Sequence, residues 1–425
     1  MDTLYKREVY MERFEVTGGV PLRGAIKISG AKNEALKVIP LAVLVKDAFV
    51  VRNIPDIADI RTQLEIFKAL GGKYEFSANV LQLDGTDVNK SNLEGGLATK
   101  LRASIVYAGV LLARFKTVTI PFPGGCAIGR RPIDTHIQAF VDLGAKLTKD
   151  GDNYILKIEN FKTKSISLIE RSVTATENVL MFLSGFDDEF EVKNCAIEPE
   201  VEDLVRIINN AGATIKRNDR TFTIRGNNEL RLTKDKIIPD RIEAFSYLVA
   251  FIVTGGSGTI DNFPADYMKK PLEVLKKCKA KFKMSQGKLE VLKNGQLEPF
   301  QIKTGPYPEF PTDMQSPMSL IAAKAQGKSQ IEEAMFENRL GYIKELKKMG
   351  LLSKVKDRQT VEIVGGNKLK GAVIDSLDLR SGITLILGAL MAEGNSTINN
   401  ARIIDRGYED IVRKLTKIGA LVKRK

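Results

Sequence analysis

The 425-residue chain has one histidine and three cysteines, and aromatic residues make up only 7% of it. A lone histidine, His136, excludes the common histidine-based metal centres and any histidine-rich proton relay. Cys126, Cys195 and Cys278 stand too far apart for a CxxC-type zinc knuckle and lack the paired spacing of a disulfide framework. The expectation is therefore a protein without metal or cofactor in a reducing cytoplasm. No apolar run reaches the roughly 18 residues that cross a bilayer, because Leu36–Val45 and Ile383–Ala392 are short and flanked by polar residues. Met1–Glu8 lacks the basic-then-apolar layout of a secretory leader, so neither membrane nor export is expected. Basic residues are not interleaved with aromatics, which argues against a nucleic-acid groove. The formal net charge of +13 points instead to a phosphorylated small molecule, or to no more than a solvated basic surface.

What the chain does have begins with Pro123-Gly124-Gly125-Cys126-Ala127-Ile128-Gly129-Arg130-Arg131-Pro132. Arginines beside a thiol oppose the cost of its negative charge, and glycines let backbone N–H groups approach an anion. Two readings stand at this point: a reactive thiol in an anion-binding loop, or a surface turn with an inert cysteine.

A helix-end signal recurs about every 70 residues: Leu70-Gly71-Gly72, Leu143-Gly144-Ala145, Ala211-Gly212-Ala213, Cys278-Lys279-Ala280, Met349-Gly350-Leu351 and Ile418-Gly419-Ala420. Each follows an amphipathic pattern, so the glycine reads as a helix C-cap, replaced only by Lys279 in the fourth copy. Interleaved with these are long apolar helices expected to start near Lys32, Arg102, Glu177, Arg241, Asp313 and Arg380. Short strands such as Phe49–Arg52, Thr117–Ile120, Glu191–Lys193 and Thr397–Asn399 follow them. The pattern predicts six α/β units, three per domain, with the apolar helices inside. Parallel helices gather their N-termini at one face, and lysine or arginine at a helix start opposes the dipole unless an anion lies between.

Several separated motifs resemble the enolpyruvyl transferases, and within them the branch acting on UDP-N-acetylglucosamine. They are Gly30-Ala31-Lys32-Asn33, Leu101-Arg102-Ala103-Ser104, the Cys126 loop with Arg131-Pro132-Ile133-Asp134, Pro239-Asp240-Arg241-Ile242-Glu243-Ala244, Phe310-Pro311-Thr312-Asp313-Met314-Gln315, Glu337-Asn338-Arg339, Asp378-Leu379-Arg380 and Ile404-Asp405-Arg406-Gly407-Tyr408. The resemblance runs from about Met11 to Lys425. It implies two inverse α/β domains, one of residues 1–31 with 240–425 and one of residues 32–239. It also implies transfer of the enolpyruvyl group of phosphoenolpyruvate to the 3′-hydroxyl of UDP-N-acetylglucosamine by addition and elimination of phosphate.

Under that resemblance Cys126 matches the proton donor and adduct site, and Asp313 the carboxylate that accepts the hydroxyl proton. Lys32, Arg131 and Arg406 match a clamp on phosphoenolpyruvate. Asn33, Arg102, the run Arg131, Pro132, Ile133, Asp134 and Thr135, then Ser172, Val173 and Met335, match substrate contacts, and Asp378 with Arg380 a pair near the reacting centre. The family's thiol is alkylated by the epoxide fosfomycin. His136 reads as a hydrogen-bonded loop histidine or a catalytic one, and Arg241, Glu243 and Arg339 as binding residues or structural ion pairs. The chain departs from the family at Ser172-Val173-Thr174, where a glycine commonly replaces Thr174, so a turn of positive φ is expected to be disturbed. It departs again at Glu170, where some relatives carry lysine. The other readings are a transferase acting on shikimate 3-phosphate and a non-catalytic binder of UDP-sugars or nucleic acid. The oligomeric state is not legible in the sequence.

Overall fold

The computed structural model describes residues 12–93, 95–121 and 133–425. Among them, helices of seven residues or more are, in chain order, α1 (Lys32–Leu41), α2 (Ala58–Ala69), α3 (Tyr107–Phe115), α4 (Asp134–Leu143), α5 (Val173–Ser184), α6 (Pro199–Asn210), α7 (Arg241–Val253), α8 (Lys269–Lys277), α9 (Gln315–Lys324), α10 (Tyr342–Lys348), α11 (Leu379–Met391) and α12 (Ile411–Lys417). The odd-numbered helices are buried nearly all round; every residue of α7 is buried. The even-numbered helices bury one face, as α6 does through Val201, Leu204, Val205 and Ile208. Short 3-10 turns, Arg102–Val106 and Thr312–Met314, lead into α3 and α9.

Inner helices α5, α9 and α11 each join two parallel strands of one sheet, whereas α1 and α7 each run from a strand of one sheet to a strand of another; outer helices α2, α4, α6, α8 and α10 each lead into an antiparallel pair, and α12 into the single strand Leu421–Arg424. Among the described residues five sheets have four strands, and a sixth, from Thr117–Pro121, Asn153–Lys157 and Lys146–Asp150, has the bridge Asn92 to Thr119 in the fourth position. The six outer helices end as their sequences predict: Gly71, Gly144, Gly212, Gly350 and Gly419 all have φ between 90° and 119°. Lys279 holds the same left-handed conformation at φ 61°, so the fourth copy keeps the turn without the glycine.

The apolar side chains form two cores, one drawn from Ala35 to Ile237, the other from Phe14 to Ile28 and Ile242 to Val422. Inner helices within a core run parallel. Arg114 near the end of α3 donates to the Val43 carbonyl just beyond α1 (2.9 Å), and Lys324 at the end of α9 donates to the Val253 carbonyl at the end of α7 (2.9 Å). At the other pole, Ser316 of α9 donates to the Arg380 carbonyl of α11 (3.2 Å).

Two crossings stitch the cores together. Strand Arg23–Lys27 precedes α1 yet pairs with Ser257–Asp261 after α7, while Lys234–Lys236 precedes α7 yet pairs with Phe49–Arg52 after α1. The crossing segments run side by side, with Ala31 N–H on the Ile238 carbonyl (2.8 Å) and Asp240 N–H on the Ser29 carbonyl (2.9 Å). They pass so close that a Cβ on Gly30 would lie 1.7 Å from the Asn53 carbonyl oxygen, which only glycine avoids. Strand Phe14–Thr17 fills the last sheet between Asn395–Asn399 and Leu421–Arg424.

Candidate active site

The crossings bring starts of inner helices from both cores together. Asp240 is the N-cap of α7, its Oδ1 accepting from Ile242 N–H (2.8 Å) and Glu243 N–H (2.9 Å), and its Oδ2 accepts from Lys32 N–H of α1 (3.1 Å). One buried carboxylate thus satisfies two helix ends. The Lys32 ammonium reaches Asp59 Oδ2 on α2 at 2.8 Å, and Arg406 Nε meets Asp59 Oδ1 at 2.9 Å from the other core. Burial lowers the Lys32 pKa; Asp59 opposes this, and the nearby Arg380 and Arg406 charges add to it. Burial works to raise the pKa of Asp59, but Lys32 and Arg406 outweigh it and hold the carboxyl below its ordinary range.

Asp313 sits in the turn before α9, between two guanidiniums. Its Oδ1 accepts from Arg339, and its Oδ2 from Arg380 Nε (3.2 Å) and Nη2 (3.1 Å). Arg339 also donates to Thr312 Oγ1 (2.8 Å), which itself donates to the buried Glu333 (2.7 Å). Glu333 accepts from the Met335 and Phe336 N–H groups at 2.8 and 3.1 Å, ordering the segment on which Met335 stands half exposed. Asp378 closes a capping box on α11, accepting from the N–H groups of Arg380 (2.9 Å) and Ser381 (3.1 Å).

A third group lies at the starts of α4 and α5. Thr135 Oγ1 donates to Glu170 Oε1 (2.9 Å). The buried His136 ring lies between Asn178 and Thr174. Asn178 donates through Nδ2 to the Ile105 carbonyl (3.0 Å) and accepts through Oδ1 from Gly109 N–H (2.8 Å), so its orientation is fixed. Its Nδ2 therefore donates to His136 Nδ1 (3.0 Å), and the ring proton sits on Nε2, donating to Thr174 Oγ1 (3.2 Å). Burial, helped by the Arg102 charge, lowers the His136 pKa to about 3, so the ring is neutral at physiological pH. Ile133 is buried ahead of α4 and Asp134 is exposed. Asn33 accepts from the Lys37 ammonium through its carbonyl (2.5 Å), and Lys37 pairs with the buried Glu177 of α5 at 3.0 Å.

The structure thus gathers Lys32 and Arg406 on Asp59, places Asp313 with Arg380 and Asp378, and sets Thr135 beside Ser172 and Val173 through Glu170 and Thr174. Cys126, Arg131 and Pro132 lie outside the described residues. Three expectations are corrected. The helix expected near Glu177 begins at Val173, because Ser172 caps it, with its Oγ 3.4 Å from Ala175 N–H. Thr174 therefore needs no positive φ: it is the second residue of a helix, and a β-branched side chain fits there without strain. Three of the cations expected at helix starts already have protein anions, Asp59 for Lys32, Glu200 for Arg241 (3.0 Å) and Asp313 for Arg380, so their position alone does not demand a ligand. Of the residues left between two readings, Arg241, Glu243 and Arg339 are all ion-paired, Glu243 with Lys414 at 2.6 Å. Sequence reading missed Asp59; its signal was a charge beside the apolar positions Ile60, Leu64 and Phe67 of α2.

The family described as EPSP synthase (3-phosphoshikimate 1-carboxyvinyltransferase) matches residues 16–415. The UDP-N-acetylglucosamine 1-carboxyvinyltransferase 3 of Caldanaerobacter subterraneus subsp. tengcongensis is 40% identical over 97% of this chain and 99% of its own. The UDP-N-acetylglucosamine 1-carboxyvinyltransferase of Pelagibacter ubique is 36% identical over 97% and 100%. Among solved structures, the enolpyruvyl transferase NikO from Streptomyces tendae superposes with a TM-score of 0.88 at 22% identity, covering 98% of this chain and 99% of that one. An EPSP synthase from Acinetobacter baumannii gives 0.76 at 16% identity over 97% and 100%. At those identities the two structures speak for the fold alone. Full-length sequence similarity and a shared six-unit fold together make this chain a member of the EPSP synthase family of enolpyruvyl transferases.

Proposed function

We propose that this chain transfers the enolpyruvyl group of phosphoenolpyruvate to the 3′-hydroxyl of UDP-N-acetylglucosamine and releases phosphate, the first committed step of peptidoglycan precursor synthesis. The observation that carries the choice of acceptor is 36–40% identity over nearly the whole chain to relatives named for UDP-N-acetylglucosamine, against 16% to an EPSP synthase of the same fold. The two cores are read as two domains, residues 1–31 with 240–425 and residues 32–239, and the substrates as meeting between them in the cytoplasm.

The sugar oxygen attacks C2 of phosphoenolpyruvate while C3 takes a proton, giving a tetrahedral intermediate. Phosphate then leaves C2 and C3 gives up a proton, restoring the double bond. Cys126 is assigned the proton donor by the family resemblance, and Asp313 the acceptor of the hydroxyl proton. A carboxylate is a weak base towards an alcohol, so positioning must contribute much of the rate. Arg339 and Arg380 serve that end by holding both Asp313 oxygens. Lys32 and Arg406, shared by one Asp59, form a pair of cations from both cores that suits the phosphate and carboxylate of phosphoenolpyruvate.

The test is phosphate release from phosphoenolpyruvate with UDP-N-acetylglucosamine, with shikimate 3-phosphate, or with neither. Release only with the UDP-sugar is expected; release with shikimate 3-phosphate, or with neither acceptor from folded protein, overturns the reading. Cys126→Asp keeps an acid but removes the soft nucleophile, so turnover should persist while inactivation by fosfomycin disappears. Continued inactivation assigns the alkylated group to another residue.

A further inference from the structure

Two side-chain bonds join the start of α4 to the start of α5: Thr135 to Glu170 (2.9 Å) and His136 to Thr174 (3.2 Å). We propose that Thr174 and Glu170 are positioning residues, which latch the first turn of α4 against α5 and so set the acceptor-contacting run 133–135 in place. The inference rests on the proposed function for its substrate, but its geometry does not.

The latch has a fixed side and an adjustable side. Asn178 is fixed, because its amide is held by Ile105 in the 3-10 turn before α3 and by Gly109 in α3, where a Cβ on Gly109 would come within 2.4 Å of the Asn178 carbonyl. Through Nδ1 it presents the His136 ring in a single tautomer, with the Nε2 proton aimed at position 174. Thr174 and Asn178 stand one helical turn apart on α5, so the ring spans two rungs of that helix. A glycine at 174 has no acceptor to offer, and the buried Nε2–H then lacks this partner. Glu170 makes the second point of attachment. Its carboxylate takes the Thr135 hydroxyl, so the start of α4 is tied at two consecutive residues to a segment that Ser172 caps and Thr176 anchors, the latter by accepting from Ala196 N–H (3.0 Å). Thr174 and Glu170 touch no reacting atom in this scheme; they act through Thr135 and His136.

His136 is the sole histidine, so its imidazole ¹⁵N and ¹H signals need no assignment by mutation. The unaltered protein should show one neutral Nε2–H tautomer. Thr174→Val, which keeps the shape and removes the acceptor, should shift or broaden those signals and raise KM for UDP-N-acetylglucosamine by about five- to tenfold with kcat within about twofold. Thr174→Ser should restore both. Glu170→Ala should raise the same KM without altering the tautomer, and Glu170→Gln, which keeps an acceptor for Thr135, should not. Unchanged imidazole signals and unchanged KM in Thr174→Val overturn the latch, as does a fall in kcat alone. If Thr174→Val fails to fold, Thr174→Ala and the Glu170 pair carry the same comparison. Imidazole signals that respond as described in a protein without UDP-sugar turnover would place the failure in the proposed reaction, not in the latch.

Discussion

The two cores repeat one unit but spend their charges differently. Residues 32–239 hold 29 lysines and arginines against 27 acidic residues; the remainder holds 36 against 25. The inner helices of the second core begin at or behind aspartate, Asp240 for α7, Asp313 in the turn before α9 and Asp378 for α11, whereas those of the first follow Ala31, Leu101 and Ser172. The first core shows that the unit folds without acids at these places. Two of these carboxylates are caps, Asp240 for α7 and, across the crossing, for α1, and Asp378 for α11, while Asp313 is held by Arg339 and Arg380.

The sharpest way to break this contrast is at Asp313. Asp313→Asn should lower kcat by about 10²- to 10⁴-fold with the circular dichroism spectrum retained, while Asp378→Ser, which keeps a cap on α11, should cost far less. Equal losses would make both acids structural and erase the difference between the cores. Next in size is the buried pair Arg241–Glu200, which joins them. Arg241→Met leaves Glu200 buried without its partner and should destabilise by about 3–5 kcal/mol in urea unfolding, and adding Glu200→Met should recover most of the loss. A neutral single variant would mean that the junction does not depend on that pair.

A smaller effect is expected at Glu34, whose carboxyl accepts from Ile238 N–H of the returning crossing at 3.0 Å. Burial, reinforced by Asp203, pushes its pKa well above 4.5. Above that pH the unfolded chain releases the proton while the folded chain keeps it, so this group makes stability fall as pH rises until the folded carboxyl ionises. Glu34→Gln has no proton to lose, and its stability relative to the parent should grow as the pH rises above the ordinary carboxylate range. A constant difference would mean that Glu34 is already ionised. The smallest effect concerns Lys279, the one non-glycine among the left-handed ends of the six outer helices. Lys279→Gly should stabilise by about 1 kcal/mol, whereas Gly350→Lys at the equivalent place should destabilise.

Those helix ends were also the most legible part of the chain. A glycine with φ near 100° is a local requirement, so the repeat could be counted from sequence alone, and even Lys279 kept its place in it. The expected starts of α7 and α11 fall within a residue of the structure because cap and apolar run are neighbours in the chain, and α1 begins at the expected Lys32 although the carboxylate at its start, Asp240, comes from the other crossing. The start of α5 was placed too late because Val173, Thr174 and Ala175 carry no charged marker. What sequence could not supply were partners distant along the chain. Asp59 meets Arg406, 347 residues away, and Glu200 meets Arg241 through the junction, which no local pattern records. Thr174 was misread for a related reason: its side chain is explained by His136 and the helix it stands in, not by the tripeptide around it.

The most direct test of addition and elimination across these two cores is turnover in D₂O with phosphoenolpyruvate and UDP-N-acetylglucosamine, followed by mass spectrometry of the product. Protonation at C3 and its reversal should leave deuterium in the methylene of the transferred enolpyruvyl group, and Asp313→Asn should slow its appearance together with phosphate release. Product formed with no deuterium at C3 would contradict the account, because the double bond would then have passed to the sugar without a tetrahedral intermediate.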